Sequence, residues 1–131
     1  MVLRQHQAAS GTDVFTRERL LAEGPELAER AMIQIIPTEA ARPTAKLLCT
    51  DGMVTAAAAP VLDAQGKLLA IFYGGNLLSQ RYEIVDAIKQ QVFRGEVYKE
   101  KEIGTVTIFL GDLRISTNVK KKDGSRAVGT Q

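Results

Sequence analysis

The sequence predicts an α+β fold in which an antiparallel sheet carries flanking helices. The sheet is predicted by two stretches, residues 53–75 and 104–119, each with two β-branched or apolar runs joined by a glycine-containing turn. The main helix is predicted by apolar residues that recur at helical spacing within residues 81–93. Hairpins and helices in separate stretches of the chain are typical of the α+β class.

The composition is that of one soluble globular domain. The 131 residues are 45% hydrophobic, and a chain of this size buries roughly two-thirds of the surface that it exposes when unfolded. Seventeen basic and fifteen acidic residues give a net charge of +2, and only 5% of residues are aromatic, so we expect no nucleic-acid partner. No apolar run approaches the ~20 residues that span a bilayer, and residues 1–12 lack the apolar core of a signal peptide.

Residues for metal, nucleophilic or phosphate chemistry are scarce. His6 is the single histidine and has no second ligand at metal spacing, and the single cysteine, Cys49, has no neighbouring base. A lone cysteine also excludes an internal disulfide framework. Gly74 and Gly75 lack the spacing of a phosphate-binding loop. We therefore expect no catalytic residue, no metal and no cofactor.

The first thirty residues predict a strand and two short helices. We expect residues 1–10 to form a flexible lead and residues 11–15 an edge strand. Thr16 is a suitable cap for a helix that Gly24 ends, and Pro25 is suited to the first turn of the next helix.

A strand and a loop follow. Residues 31–36 carry isoleucines in a strand-like run, and Pro37 ends it because proline has no backbone N–H to donate to a ladder. Residues 38–50 predict a surface loop that borders a pocket. The pattern therefore predicts a buried strand followed by an exposed loop.

Residues 53–75 predict a hairpin with a row of alanines in its first strand. Gly66 suits the left-handed position of a bulged turn, and the pair Gly74-Gly75 is expected to end the second strand. The small alanine side chains leave room above the sheet for a packed helix or for a ligand, and the packed helix is favoured.

The helix predicted over residues 81–93 is the most regular in the chain. Its apolar stripe is formed by Ile84, Val85, Ile88 and Val92. Ser79 is a suitable N-cap and Gly95 a suitable stop, and a charged connection over residues 96–103 follows.

A β-ribbon is predicted over residues 104–119. Gly111 opens a two-residue connection of the type II′ kind. Strand alternation then places Arg114, Ser116 and Asn118 on one face, with Leu113, Ile115, Thr117 and Val119 on the core side. Asp123-Gly124 predicts another reversal, Ala127-Val128 the start of a further strand, and the patch Lys120–Lys122 with Arg126 a solvated hairpin tip.

Six residues are candidates for ligand contact. Arg114 suits a carboxylate, because a guanidinium can donate two charge-assisted hydrogen bonds; its alternative role is an exposed strand arginine paired with an acid such as Asp112. Ser116 and Asn118 share its predicted face and suit a polar pocket, although solvent-facing strand residues have the same pattern. The others lie where the first hairpin meets the helix, where core packing is the alternative: Tyr73, Asn76 and Tyr82.

Four blocks of the sequence occur in an order that resembles the Cache superfamily of extracytoplasmic sensor domains. The blocks are ELAERAMIQIIPT (26–38), GMVTAAAAPVLDAQGKLLAIFYGGNLL (52–78), YEIVDAIKQQVFRGEVYKEKEIGT (82–105) and TIFLGDLRISTNVKKKDGSRAVGT (107–130). The resemblance is closest to the fused type with two Cache-like units, and it implies a PAS-like fold truncated at the C-terminus. It implies that residues 11–103 are the later part of a first unit and residues 104–131 the opening ribbon of a second.

The resemblance implies a function as well as a fold. Such domains are periplasmic parts of bacterial inner-membrane receptors, including histidine kinases, chemotaxis receptors and cyclic-dinucleotide enzymes. We therefore expect a small-molecule sensing module, with a carboxylate or an amino acid as ligand and no enzymatic activity of its own. The alternative is a dimerisation or relay scaffold that binds no ligand. An open edge on the ribbon predicts a homodimer, formed by pairing or swapping through residues 104–119.

Overall fold

The computed structural model describes residues 7–39, 41–99 and 101–131, and it confirms the predicted α+β class. The strand pairs are antiparallel and form one three-stranded and three two-stranded sheets. The helices are α1 (Arg17–Glu23), α2 (Pro25–Ala31) and α3 (Tyr82–Phe93). The strands are β1 (Ala9–Phe15), β2 (Ile33–Gln34), β3 (Leu48–Cys49), β4 (Gly52–Leu62), β5 (Leu68–Leu77), β6 (Val97–Tyr98), β7 (Lys101–Glu102), β8 (Thr107–Leu110) and β9 (Leu113–Thr117).

The N-terminal part is a three-stranded sheet in the order β1-β4-β5 with α1 and α2 on one face. Cross-strand register places Val54 opposite Leu77 and Ala58 opposite Tyr73 on this helix-covered face. The alternate residues, including Ala57 and Phe72, point to the other side, which we call the open face. Beneath the helices the core consists of Phe15, Leu20, Ala28, Ala31, Val54 and Leu77.

Local signals explain the two short helices as the sequence predicted. The Thr16 hydroxyl accepts a hydrogen bond from the Arg19 backbone N–H at 3.4 Å, as an N-cap does. Pro25 occupies the first turn of α2. A single extended residue, Gly24, separates the two helices, so they fold back against the same sheet face.

The second part of the molecule, which we call the ribbon region, is built on the hairpin β8-β9. Gly111 has a φ of 65° while Asp112 stays out of the positive-φ region, which is the sign pattern of the predicted type II′ turn. The core of this region consists of Ile33, Ile35, Leu113 and Ile115, with Ile108, Leu110 and Val128 packed against it. The isoleucines from residues 33–35 therefore pack against the ribbon.

The chain's own C-terminal segment covers the outer edge of β9. Gly129 donates to the Arg114 carbonyl at 2.9 Å, and Arg114 donates to the Thr130 carbonyl at 3.0 Å. On its other side, the same segment accepts from the Ile36 N–H at 2.8 Å through the Gly129 carbonyl. The edge that we expected to be open is thus satisfied at Arg114, and the homodimer through the ribbon stays a prediction.

Gln80 joins the two parts of the molecule. It lies between β5 and α3 in a left-handed conformation with a φ of 55°. Its backbone N–H donates to the Ile115 carbonyl at 2.7 Å, and its side-chain Nε2 donates to the Arg30 carbonyl at 2.8 Å. One residue therefore connects α2 with β9.

Several predicted boundaries were wrong. The pair Gly74-Gly75 does not end β5, which continues to Leu77, because the missing side chain of Gly75 serves a close approach: a Cβ there would lie 2.7 Å from the Thr55 carbonyl oxygen. Ser79 is not the N-cap of α3; Arg81 holds that position without a side-chain capping bond.

A further error concerns residues 127–128, which lead into a turn at Val128 and Gly129 in which the Thr130 hydroxyl donates to the Ala127 carbonyl at 2.9 Å. The strand predicted over residues 31–36 is also shorter, since only Ile33–Gln34 pair with β3 and Ile36 makes one bridge. The predicted lead is ordered from Ala9 onward because β1 pairs with β4 there, and its first six residues lie outside the described part of the chain.

The predicted division of β9 into a polar and an apolar face was wrong as well. Phe109 pairs with Arg114 but Ile108 pairs with Ser116, so Ile115 is an extra residue and the strand is bulged. The bulge puts Ser116 opposite Ile108, on the side that packs into the core. Arg114 and Ser116 therefore do not share a face.

Candidate functional site

A groove lies between α1 and the helix-covered face of the sheet. Its closed end has a volume of about 90 Å³, and it continues as a shallow trough toward Ala58 and Ile71. The walls of the closed end are apolar and its floor is made of small residues. They are Phe15, Leu20, Leu27, Val54, Ala56, Gly74, Gly75 and Leu77, with Glu23 and Tyr73 as the polar members.

The groove exists because the strand facing α1 carries side chains no larger than alanine at its centre. Ala56 pairs with Gly75 on the helix-covered face, and neither side chain fills the space beneath α1. The alanine row is thus divided, with Ala56 and Ala58 beside the groove and Ala57 and Ala59 on the open face. The packed helices expected above the row are present on one face, and a cavity remains beside them; use of this cavity by a ligand stays a prediction.

A hydrogen-bonded pair marks the mouth of the groove. The Tyr73 hydroxyl lies 2.9 Å from each carboxylate oxygen of Glu23 and donates to that carboxylate. One turn earlier on α1, Arg19 pairs with Asp13 at 3.3 Å, and its guanidinium lies 3.5 Å from the centroid of the Phe15 ring. The guanidinium of Arg19 is therefore already engaged, while the Glu23 carboxylate meets a neutral phenol.

Two features of Glu23 set it apart electrostatically. Its hydrogen bond and negative charge raise the pKa of Tyr73 above the usual value of a tyrosine. Glu23 is also the last residue of α1, and no basic residue lies in that helix's last turn. A carboxylate at the negative end of a helix dipole is unfavourable by about 0.3–1 kcal/mol, so local helix stability does not account for this residue.

The predicted ligand residues of the ribbon lie in a different and closed environment. Arg114 is half-buried, with its guanidinium 5.8 Å from the Phe109 ring centroid and its Nε without a partner in the described residues. Ser116 is fully buried, and its Oγ likewise has no partner there. Asn118 is engaged, since its Oδ1 accepts from the Val106 N–H at 2.8 Å and its Nδ2 donates to the Gly104 carbonyl at 3.4 Å.

The three remaining candidates do not form one cluster either. Tyr73 lines the groove, whereas Asn76 is exposed on the open face. Tyr82 lies at the start of α3, where its hydroxyl donates to the Gln80 side chain at 3.3 Å. Burial raises the pKa of Tyr82, and the nearby Arg126 guanidinium lowers it to a smaller degree. Of the three, Tyr73 lines the groove beneath α1, and Asn76 borders a separate shallow depression with Thr12 and Thr55.

Arg126 joins α3 to the ribbon, a role that differs from the predicted solvated hairpin tip. Its guanidinium donates to both carboxylate oxygens of Asp86 at 2.8 and 2.7 Å and to the Thr117 carbonyl at 2.9 Å. It also lies 4.5 Å from the Tyr82 ring centroid. The hydrogen bond from Arg126 lowers the pKa of Asp86, and the same bond raises the pKa of Arg126.

The described residues hold no group of three or more histidine, cysteine or acidic side chains that is suited to a metal. Burial raises the pKa of the Cys49 thiol, so this thiol is less ionised than a free one. Within the same ranges, no helix is long and apolar enough to cross a membrane. His6 lies outside the described residues.

Sequence reasoning missed the residues that build the groove. Glu23 carried a usable signal, because an acidic residue directly before a helix-ending glycine opposes the helix dipole. Phe15, Leu20 and Leu27 carried only the signal of core residues. Their arrangement around a cavity depends on the pairing of β1 with β4, which no local pattern reveals.

Comparison with known proteins supports the resemblance over the C-terminal part of the chain. Residues 76–131 match the family described as single Cache domain 3. No curated protein and no solved structure matches the chain. The division into two fused units, and the resemblance before residue 76, stay predictions. Residues 76–131 are thus similar to the Cache superfamily, whose members are typically extracytoplasmic sensor modules of signalling receptors.

Proposed function

We propose that this chain is a small-molecule sensing module of a bacterial transmembrane receptor, and that its ligand binds in the groove beneath α1. The module itself performs no catalysis, and it works as a homodimer in a membrane-anchored protein with a separate output domain. The match to a Cache family supports the sensing role. The groove lies in residues 9–77, before most of the matched segment, so its part in the proposal depends on geometry alone.

The observation that carries the proposal is an apolar cavity with a polar pair at its mouth. Ligand sites are typically concave and apolar, with a few polar groups that orient the ligand. Here Leu20 and Val54 supply the apolar wall, and Glu23 and Tyr73 supply the polar pair. The space beside the ribbon is of another kind: it is a wide depression with a more polar lining, bordered by Leu110, Asp112 and Leu113 and by the loop over residues 44–51.

Thermal unfolding against a panel of small amines, amino acids and carboxylates tests the proposal. A groove ligand present at about 100 times its Kd adds about 2.7 kcal/mol of stability, which corresponds to a rise in Tm of about 8 °C. Ala56→Leu fills the groove and is expected to abolish this shift. Ala59→Leu adds the same volume on the open face and is expected to retain it, since Ala59 pairs with Phe72 on that side and lines no part of the groove.

The second candidate is a dimerisation or relay scaffold, which one observation favours. Phe72 is 77% exposed and Leu69 is 64% exposed, so large apolar side chains outside the groove are available for a protein contact. A panel with no active compound, together with a dimer that Phe72→Ser dissociates in sedimentation experiments, would establish the scaffold and reject the sensor. If Ala59→Leu and Ala56→Leu both abolished the rise in Tm, the ligand would bind outside the groove.

A further inference from the structure

We propose that the groove selects molecules carrying a protonated primary amine on a short branched aliphatic chain, with the ammonium at Glu23 and the chain at the closed end. This inference rests on the proposed function and adds the chemical class of the ligand. It assigns Glu23 as the specificity-determining residue, in place of the arginine that the sequence suggested.

The first step is the charge at the mouth. Among the described residues, the Glu23 carboxylate has the Tyr73 hydroxyl as its hydrogen-bond partner and has no lysine or arginine nitrogen within ion-pair distance. Arg19, one helical turn away, is held by Asp13 and the Phe15 ring. A carboxylate oxygen accepts more than one hydrogen bond, so an ammonium can join the phenol without displacing it.

The second step is the position of Glu23 in its helix. The residue ends α1, where the helix dipole opposes a negative charge, and no basic side chain offsets it in that turn. A residue placed against its local structural preference is a candidate for function. A bound ammonium would supply the missing positive charge at the helix end.

The third step is the size and character of the closed end. The volume of about 90 Å³ is smaller than the ~150 Å³ of an apolar cavity that holds benzene, so it suits a chain of about four carbon atoms. Its walls, which include Leu20, Leu27 and Val54, offer no polar group to such a chain. Because Glu23 lines the same cavity, the amine has to follow the chain within one or two carbon atoms.

Isothermal titration calorimetry with four probes of similar shape tests this inference. The probes are 3-methylbutylamine, 3-methylbutan-1-ol, 3-methylbutanoate and leucine. We expect the amine to bind at least tenfold more tightly than the alcohol, and the carboxylate not to bind. Leucine binding more tightly than the amine would identify an amino acid as the source of the ammonium; weaker leucine binding would identify a free amine.

Matched charge-removing variants assign the effect to Glu23. Glu23→Gln is expected to weaken amine binding at least tenfold, whereas Glu29→Gln removes an exposed carboxylate of α2 outside the groove and should leave it unchanged. Equal binding of alcohol and amine, or unchanged amine affinity in Glu23→Gln, would overturn the inference. If the amine preference failed in this way but the alcohol or the carboxylate bound, and Ala56→Leu abolished that binding, the proposed ligand site in the groove would be supported and only its preference for amines rejected. Failure of all four probes and of the wider panel would overturn both.

Discussion

The groove and the ribbon region differ in how their polar groups are used. In the ribbon region, Asn118 and Arg126 form hydrogen bonds with backbone groups, and Arg126 also bonds to Asp86 of α3. At the groove, the one hydrogen-bond partner of the Glu23 carboxylate in the described part of the chain is a neutral hydroxyl, and the carboxylate borders an apolar cavity. Residue type alone therefore does not identify a ligand-binding site. Polar side chains that follow β9, such as Asn118 and Arg126, serve structure, while the end of a helix supplies the group available to a ligand.

The largest expected effect tests whether the ribbon is a packed core. Ile115 is fully buried among Ile33, Ile35 and Leu113. Ile115→Ala should therefore lower the free energy of unfolding by about 3 kcal/mol, as the chain loses burial and gains a cavity. Urea denaturation followed by circular dichroism measures the change.

The matched control is Val61→Ala near the end of β4, where Val61 is 45% exposed. It should cost roughly 0.5 kcal/mol, as is usual for exposed positions. Equal losses of unfolding free energy in Ile115→Ala and Val61→Ala would contradict the conclusion that the ribbon is a packed core while the end of β4 is exposed.

The next effect tests the contact between α3 and the ribbon. Arg126→Ala should lower the free energy of unfolding by about 2 kcal/mol, mainly because it leaves the Thr117 carbonyl without this donor. The Asp86 side chain is 48% exposed, so its ion pair contributes at most about 1 kcal/mol after solvent screening.

The Asp86 contribution has a defined pH dependence. Its pKa is lowered in the folded state, so its stabilisation is present above the ordinary aspartate pKa and is lost as the pH falls through the lowered value. The stability difference between the wild type and Asp86→Asn should be constant from about pH 7 to 5 and shrink below about pH 4. A difference that grew in acid would contradict the assignment.

The smallest effect has the opposite sign. Ser116→Ala should raise the free energy of unfolding by about 1 kcal/mol, because the buried Oγ has no partner among the described residues. Thr117→Val is the control, since it removes hydrogen bonds to the Thr107 hydroxyl at 2.7 Å and from the Val119 N–H at 3.1 Å. It should destabilise by about 1 kcal/mol. A destabilised Ser116→Ala in thermal melts would contradict the absence of a partner for the Ser116 hydroxyl. A stabilised Thr117→Val would contradict the assigned hydrogen bonds of Thr117.

Local chemistry made much of the fold predictable. Thr16, Pro25 and Gly111 act on their nearest neighbours, and each holds the position expected of it. The errors arose where distant segments decide. Gly75 is needed for its approach to Thr55 on the neighbouring strand, and the extra residue Ile115 reverses the face of Ser116.

The candidate site was less predictable than the fold for the same reason. Tyr73 was identified from its place near a strand end, and it lines the groove. Its partner Glu23 lies fifty residues earlier in the chain, and only the packing of α1 on the sheet brings the two together. The apolar stripe predicted for α3 is not buried along its whole length, because Val85 is buried while Val92 is 64% exposed.

The left-handed backbone at Gln80 lies at one of the connections between the two parts of the molecule. Glutamine rarely adopts this conformation, so the surrounding hydrogen bonds must hold it in place. Those bonds run to Arg30 at the end of the groove-forming helices and to Ile115 in the ribbon. The conformation of Gln80 therefore depends on contacts made by both parts of the molecule, so unfolding of either part removes one of the bonds that hold this backbone in place.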